Sequence, residues 1–229
     1  MLSVTLTPLS LGVTISGTED DLMDLHEAIS DILPEDDDGI DIEFTRGLKY
    51  DLRKAWNGKR TVETKKLPII ENSSIHVPQK IYSVEVLLPS LICQIHILLC
   101  YVDYFYLKRE ISLKLIEHLN QELIYKIEEK SPDAAQFYVN WLENNAPFSA
   151  NYLFLHVDLI NSEYIKLRGE RIDYLEDVIE SLTEGSESYN ITSILVENAA
   201  ERLECDKNDV YFDAINSVYD QLDKGEHLW

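Results

Sequence analysis

The chain has 229 residues, of which 42 are acidic and 20 are basic, so its formal net charge is −22 at pH 7. Hydrophobic residues make up 45% of the chain and aromatic residues 10%, which is enough apolar material for a buried core and argues against a disordered acidic tail. This charge repels duplex DNA and anionic bilayers as main partners, and it favours a basic protein surface.

The first ninety residues combine strand and helix patterns. Apolar and polar residues alternate over Ser3–Thr7 and Gly12–Ile15, which predicts two short paired strands. Thr18 is a suitable N-cap for a helix that Pro34 ends, because acidic residues follow it where a helix N-terminus favours negative charge. The segment 40–44, IDIEF, alternates as a further strand does.

Three more elements are predicted before residue 90. A helix is expected over 47–58, because its apolar residues share one face and Gly58 suits a C-terminal cap. Residues 61–70 are expected to be extended, and a strand is expected to begin near Lys80. Together these elements predict a small α+β unit.

From Pro89 onward the pattern is helical, although residues 151–160 fit either a strand or a helix. The predicted fold class is α+β, with a small N-terminal mixed sheet and two helices packed on a mostly α-helical C-terminal half. We expect a single domain over 1–229, with an α+β subregion at 1–88 and a helical subregion at 89–229. The predicted helices of the second subregion are an apolar one after Pro89, then 111–130, Ser131 to about Trp141, 162–183, 191–204 and 208–223.

The most apolar segment, Leu87–Leu107, is long enough to be considered as a membrane span. It contains Pro89, Gln94, His96 and Asp103, so we expect a buried core helix and no membrane contact. The opening residues show no secretory signal pattern, and the odd number of cysteines, three, suits reduced thiols. We therefore expect a cytoplasmic protein.

A resemblance to known proteins is carried by three segments of the N-terminal half: TPLSLGVTISGTEDDLMDLHEAI, GLKYDLRKAWNGKRTVE and VPQKIYSVEVLLP. They resemble a family of uncharacterised bacterial proteins, a domain of unknown function, over roughly the first 105 residues. The resemblance implies a bacterial cytoplasmic protein. It implies no activity, so no functional residue is carried over from it.

Charge is distributed unevenly along the chain. Residues 1–45 contain twelve acidic residues and no basic ones, whereas residues 46–66 contain eight basic residues and two acidic ones. Residues 131–229 contain twenty acidic and six basic residues. A basic island with a net charge of +6 therefore lies between two acidic regions.

Carboxylates at helical spacing in the C-terminal half are the first candidate site. We predict that they bind a basic protein partner, although a solvated acidic surface has the same pattern. This predicted partner-binding set consists of Asp173, Glu176, Asp177, Glu180, Glu197, Glu201 and Glu204.

The basic island is the alternative site, for nucleic acid or a phosphorylated ligand, because it combines cations with a tyrosine. The net charge of the chain disfavours nucleic acid, and the same cations could instead pair with the acidic N-terminal segment. The residues of this alternative are Arg46, Lys49, Tyr50, Arg53, Lys54 and Arg60.

A third candidate, a metal site, is formed by Cys93, His96 and Cys100, with Asp103 on the same helical face. One straight helix cannot surround a tetrahedral ion, so two buried thiols and a hydrogen-bonded histidine in a core helix explain the same spacing. We expect no cofactor.

No catalytic residues are predicted, because the chain has no G-x-S-x-G, H-E-x-x-H or C-x-x-C motif and no glycine-rich phosphate loop. The function we predict is that of an acidic, non-enzymatic interaction module of the immunity-protein, antitoxin or inhibitor kind. The alternative is an enzyme or nucleic-acid-handling component of a bacterial defence system that acts through the basic island.

Overall fold

The computed structural model describes residues 2–34, 39–68, 76–105, 110–144 and 152–212, which form one antiparallel sheet and eight α-helices. The α+β prediction with a mostly helical C-terminal half is confirmed, although the described strand pairs are all antiparallel and the sheet is not mixed. The strands are β1 (Ser3–Leu6), β2 (Gly12–Gly17), β3 (Thr61–Pro68) and β4 (His76–Leu87), in the sheet order β1-β2-β4-β3. The helices are α1 (Glu19–Ile32), α2 (Ile40–Lys54), α3 (Leu88–Phe105), α4 (Glu110–Glu128), α5 (Pro132–Asn144), α6 (Leu153–Lys166), α7 (Leu175–Ser181) and α8 (Glu187–Leu203). A π-helical turn covers Ala55–Lys59, and 3₁₀ helices cover Arg168–Tyr174 and Lys207–Asp209.

The sheet has an apolar face and a polar face because its residues alternate along each strand. Ile15 of β2 pairs with Val4 of β1 and Val84 of β4, and all three side chains are buried. On the other face the hydroxyls of Ser16 and Ser83 are 2.8 Å apart. The apolar face therefore belongs to the core, and the serine face borders solvent.

The predicted start of α1 is confirmed. Thr18 Oγ1 accepts a hydrogen bond from the Asp21 amide at 3.2 Å, and the Asp21 carboxylate accepts one from the Thr18 amide at 2.8 Å. This reciprocal capping box satisfies donors that every helix N-terminus leaves open. Gly17 precedes it because a Cβ there would lie 2.7 Å from the Cβ of Asp21.

The strand predicted at 40–44 is wrong, because this segment is the first part of α2. The alternation of Ile40, Ile42 and Phe44 coexists with a helical spacing in which Ile42, Thr45 and Leu48 are all buried. An alternation of apolar and polar residues over only five positions is a weak strand signal when a longer helical spacing of apolar residues follows directly. Acidic side chains in the first turn also favour a helix start.

The helix predicted over 162–183 is wrong as a single element. Arg168 has a φ of 53°, in the left-handed region, so the chain leaves α6 and passes through the 3₁₀ helix before α7 begins. The ambiguous segment 151–160 is helical where it is described, as the start of α6. The start of the helix predicted at 208–223 is wrong: the 3₁₀ helix Lys207–Asp209 ends at Asp209 and Val210 is extended. Residues 213–223 of that prediction lie outside the described residues.

One buried arginine joins the two halves. Arg171 is only 2% exposed, and its guanidinium donates to the carbonyl oxygens of Tyr164 at 3.0 Å, Ile165 at 2.9 Å and Leu9 at 3.2 Å. The hydroxyl of Tyr164 donates to the carbonyl of Ser10 at 2.6 Å. The turn between β1 and β2 is thereby attached to the C-terminal end of α6.

The main core draws on both halves, from Leu2 of the first strand region to Leu182 after α7. A smaller cluster lies under α8 and contains Leu155, Val196 and Val210. Within the described ranges, no helix has both the length and the apolar character that crossing a bilayer requires.

Replacing Arg171 with Met is expected to lower the free energy of unfolding by about 3 kcal/mol, because buried carbonyl oxygens lose their donors. Urea unfolding followed by circular dichroism measures this loss. The exposed Arg53 provides a matched control, Arg53→Met, which should change stability by less than roughly 0.5 kcal/mol. Equal effects of the two substitutions would contradict the role assigned to Arg171.

Candidate functional site

A groove of about 480 Å³ opens between α6, α7 and α8, with the 3₁₀ helix Arg168–Tyr174 at one end. We call it the helical groove. Its lining is mostly apolar, which is typical of sites that bind a ligand or a partner side chain. The lining includes Leu159, Ile160, Leu167, Val178, Ile191 and Leu195.

Exposed apolar residues extend this lining onto the surface of α8. Ile191 is 50% exposed, and Ile194, one turn further along, is 57% exposed. Tyr174, the last residue of the 3₁₀ helix at the end of the groove, also lines it and is 42% exposed. Apolar surface that is contiguous with a groove and bordered by charge marks an interaction site more often than isolated apolar residues do.

One carboxylate of the predicted partner-binding set, that of Asp177, lines the helical groove. Asp173 and Glu180 are exposed and are adjacent in sequence to the lining residues Tyr174 and Ser181. Within the part of the chain that the structure describes, no ion pair involves the carboxylates of Asp173, Glu176, Asp177 or Glu180. The carboxylate of Glu163, also in the groove, pairs with Lys166 at 2.6 Å.

The other members of the set lie in the C-terminal half of α8, beyond the helical groove. Glu197 pairs with Lys207 at 2.6 Å, so part of its charge is already compensated. Glu201 is exposed, and Glu204 ends the helix with a φ of 53°. Of the seven predicted residues, the structure thus places only Asp177 in the lining of the groove, with Asp173, Glu176 and Glu180 on the same stretch of chain and Glu197, Glu201 and Glu204 outside the lining.

A buried histidine that the sequence reasoning missed lies beneath the groove. His156 Nε2 is 2.9 Å from the carbonyl oxygen of Ser181, and Nδ1 is 2.9 Å from Thr192 Oγ1. Burial lowers the pKa of His156 to about 4, an effect that the hydrogen bond to Ser181 partly opposes. In the neutral ring Nε2 donates to the carbonyl oxygen of Ser181. The single hydroxyl proton of Thr192 has two acceptors within reach, Nδ1 of His156 and the carbonyl oxygen of Ser188 at 3.0 Å. No spacing in the sequence indicates these two partners.

The basic island is partly neutralised within the molecule. Arg46 pairs with Glu43 of the acidic N-terminal segment, and Arg60 pairs with Asp51 at 2.5 Å. Tyr50 is exposed, with the ammonium of Lys54 4.3 Å from its ring centroid and the guanidinium carbon of Arg53 at 5.5 Å. Lys49 lies half-buried on the same helix. Of these two ion pairs, the one between Arg46 and Glu43 joins the basic island to the N-terminal acidic segment, and the one between Arg60 and Asp51 lies within the island.

The metal candidate lies inside α3. Cys93 is fully buried, and burial together with the negative charge of Asp41 raises the pKa of its thiol, which disfavours the thiolate that a metal needs. Cys100 Sγ lies 3.8 Å from His96 Nε2, and the ring of His96 packs 4.5 Å from that of Trp141. Among the side chains that the structure describes, which exclude that of Asp103, no three are grouped to hold a metal ion.

Acidification is expected to destabilise the protein through His156. The pKa of His156 is about 4 in the folded chain and near 6.5 in the unfolded chain, so between these pH values the unfolded chain binds a proton that the folded chain does not. The free energy of unfolding therefore falls by about 3 kcal/mol as the pH drops from above 6.5 to 4. His156→Gln should be less stable at pH 7 but should lose about 3 kcal/mol less on acidification, as measured by urea unfolding between pH 7 and pH 4. Thr192→Val keeps the histidine and should keep the steep pH dependence; a Gln variant with the same dependence would refute this assignment.

The comparisons with known proteins extend the resemblance seen in the sequence. A comparison with curated proteins finds no match, and a comparison with solved structures finds none either. One family model matches residues 2–220, which includes both the sheet and the helices of the C-terminal half. The similarity therefore does not stop near residue 105, as the motifs alone indicated. The chain belongs to the family described as a domain of unknown function, DUF6904.

Proposed function

We propose that this protein is an acidic, non-enzymatic interaction module, of the immunity-protein, antitoxin or inhibitor kind, that binds a basic partner protein at the helical groove. The observation that carries the proposal is the exposed apolar surface of Tyr174, Ile191 and Ile194 beside the carboxylates of Asp173–Glu180. An occupant with apolar side chains next to lysines or arginines complements both features.

The apolar part of the surface supplies affinity. Fully burying an isoleucine side chain contributes about 1.5–3 kcal/mol, so covering the exposed halves of Ile191 and Ile194 is worth about 1 kcal/mol each. Tyr174 adds an aromatic ring with a polar tip, a residue type enriched among those that dominate binding energy.

The acidic part supplies steering and selectivity. Like charges three or four residues apart on a helix repel one another by a few tenths of a kcal/mol, and a cationic partner removes that repulsion. A surface of this kind accelerates the approach of basic proteins, and the acceleration weakens as salt is added. The net charge of −22 extends the same attraction beyond the groove.

The environment of His156, the buried histidine beneath the groove, favours a binding function over a catalytic one. Both ring nitrogens of His156 are engaged by Thr192 and Ser181, and the side chain is buried. A general base must reach a proton of the substrate, and this ring has no nitrogen left to do so. The contribution of His156 is to join α6 to α8 and to the end of α7, which form the walls of the groove.

Loss of the exposed isoleucines is expected to weaken binding. The probe is a fluorescein-labelled 14-residue amphipathic helix of leucine and lysine, measured by fluorescence anisotropy. Ile191→Ser combined with Ile194→Ser should raise its Kd about tenfold, which corresponds to about 1.4 kcal/mol. Ile111→Ser is the matched control, since Ile111 is 84% exposed on α4, away from the groove. The proposal fails if the control weakens binding equally, or if a leucine–glutamate peptide binds as tightly.

The carboxylates at the groove are expected to determine the salt dependence. Asp173→Asn, Asp177→Asn and Glu180→Gln together should weaken binding of the same lysine peptide at 50 mM salt and flatten the dependence of Kd on salt. The control triple Glu117→Gln, Glu128→Gln and Glu143→Gln removes the same number of exposed charges elsewhere. Wild-type affinity that is unchanged between 50 and 500 mM salt would rule out electrostatic recognition.

A further inference from the structure

Strands β3 and β4 continue as a two-stranded ribbon beyond the rest of the sheet. Strand β2 pairs with β4 only from Tyr82 to Leu87, whereas β3 pairs with β4 as far as Pro68 opposite His76. The six residues 76–81 of β4 therefore pair with β3 alone. At about 3.3 Å per residue they extend roughly 20 Å beyond the sheet.

This ribbon is exposed and cationic. All side chains of residues 61–66 and 77–80 are exposed. The ribbon carries Lys65, Lys66 and Lys80, against the single carboxylate of Glu63, which lies 3.3 Å from Lys65. As far as the described residues show, Lys66 and Lys80 take part in no ion pair. Their charge is directed to solvent and not to the acidic body.

The strand register places these lysines on both faces of the ribbon. Lys80 pairs with Thr64 and Lys66 pairs with Pro78, so these two lysines share one face, because paired residues point to the same side. Lys65 pairs with Gln79 on the opposite face. The face of Lys66 and Lys80 carries two cations that are unpaired among the described residues, whereas Lys65 shares its face with the carboxylate of Glu63, so the first face is the more favourable one for the phosphates that line a nucleic-acid groove.

We propose that the ribbon is a second binding site, independent of the helical groove, which enters a groove of duplex DNA and contacts its phosphates. The major groove of B-DNA admits a two-stranded β-ribbon. A duplex is favoured over a single strand because the described ribbon side chains, 61–66 and 77–80, include no aromatic ring on which a base could stack. Lysine contacts to phosphates give binding without sequence preference.

The net charge of −22 does not prevent this contact. The Debye length is about 8 Å at physiological ionic strength, so charges further away than this are largely screened. At about 3.3 Å per residue, Lys80, Lys65 and Lys66 lie roughly 7, 10 and 13 Å along the ribbon from Tyr82, the first residue of β4 that pairs with β2. Lys65 and Lys66 are therefore more than one Debye length from the main sheet at physiological salt, where repulsion from the acidic body is weakened by screening.

The test measures binding of a fluorescein-labelled 20-base-pair DNA duplex by anisotropy between 50 and 200 mM salt. We expect the triple variant Lys65→Ala, Lys66→Ala and Lys80→Ala to bind at least tenfold more weakly. Its slope of log K against log salt should be about 2.7 shallower, since each phosphate contact contributes about 0.9. The control triple Lys114→Ala, Lys126→Ala and Lys130→Ala makes the same change of charge in and after α4 and should leave the slope unchanged.

Four outcomes would overturn the proposal. They are no binding of the duplex by the wild type, an equal loss in the control triple, equal or tighter binding of a 20-nucleotide single strand, and preference for vesicles of anionic lipid over the duplex. Edge lysines also hinder aggregation of strands. Sedimentation of the triple lysine variant of the ribbon is therefore measured alongside DNA binding. If the wild type binds no duplex and the triple variant aggregates, the lysines protect the strands from aggregation and do not bind DNA. The lysine-peptide affinity of the helical groove should be the same in the ribbon triple and the wild type.

Discussion

The guanidinium of Arg171 lies between the turn that joins β1 to β2 and the C-terminal end of α6, where it donates to three main-chain carbonyl oxygens. A buried carbonyl without a donor costs about 1–3 kcal/mol, so this one side chain stabilises two pieces of backbone at once. Ser10 and Arg168, on either side of it, have φ angles of 52° and 53°. Such left-handed residues cost about 1–2 kcal/mol each and persist where surrounding contacts hold them.

The position of the helical groove follows from this attachment. Because the chain turns at Arg168 and not later, α7 begins at Leu175 and lies beside α6 as a separate wall. His156 then links α6 to the end of α7 through Ser181 and to α8 through Thr192. The walls are therefore held by buried hydrogen bonds, while the groove surface keeps exposed isoleucines and carboxylates.

The carboxylates near the helical groove and the lysines of the ribbon lie in different halves of the chain. The carboxylates of α7 and α8 lie on the helical half, whereas the lysines of the ribbon project from the far edge of the sheet. Pairs such as Arg46 with Glu43 and Arg60 with Asp51 neutralise part of the basic island close to the body. Among the described residues of the basic island, Arg53, Lys54, Lys59 and Lys66 take part in no ion pair, so its positive charge is only partly neutralised.

Local patterns in the sequence were sufficient for the capping box at Thr18, for the first strand pair and for the helix after Pro132, because each depends on residues within a few positions. Local patterns gave the wrong element at 40–44, where strand and helix spacings of apolar residues overlap. They also gave a single helix at 162–183, where the chain instead leaves the helix and Arg171 donates a hydrogen bond to Leu9 in the turn between β1 and β2. The order of the strand and helix patterns along the chain also predicted the α+β class, and the composition predicted its net negative charge. Only the tertiary structure decided which carboxylates border an apolar groove and which lysines stand clear of the acidic body, because both depend on contacts between residues far apart in the chain.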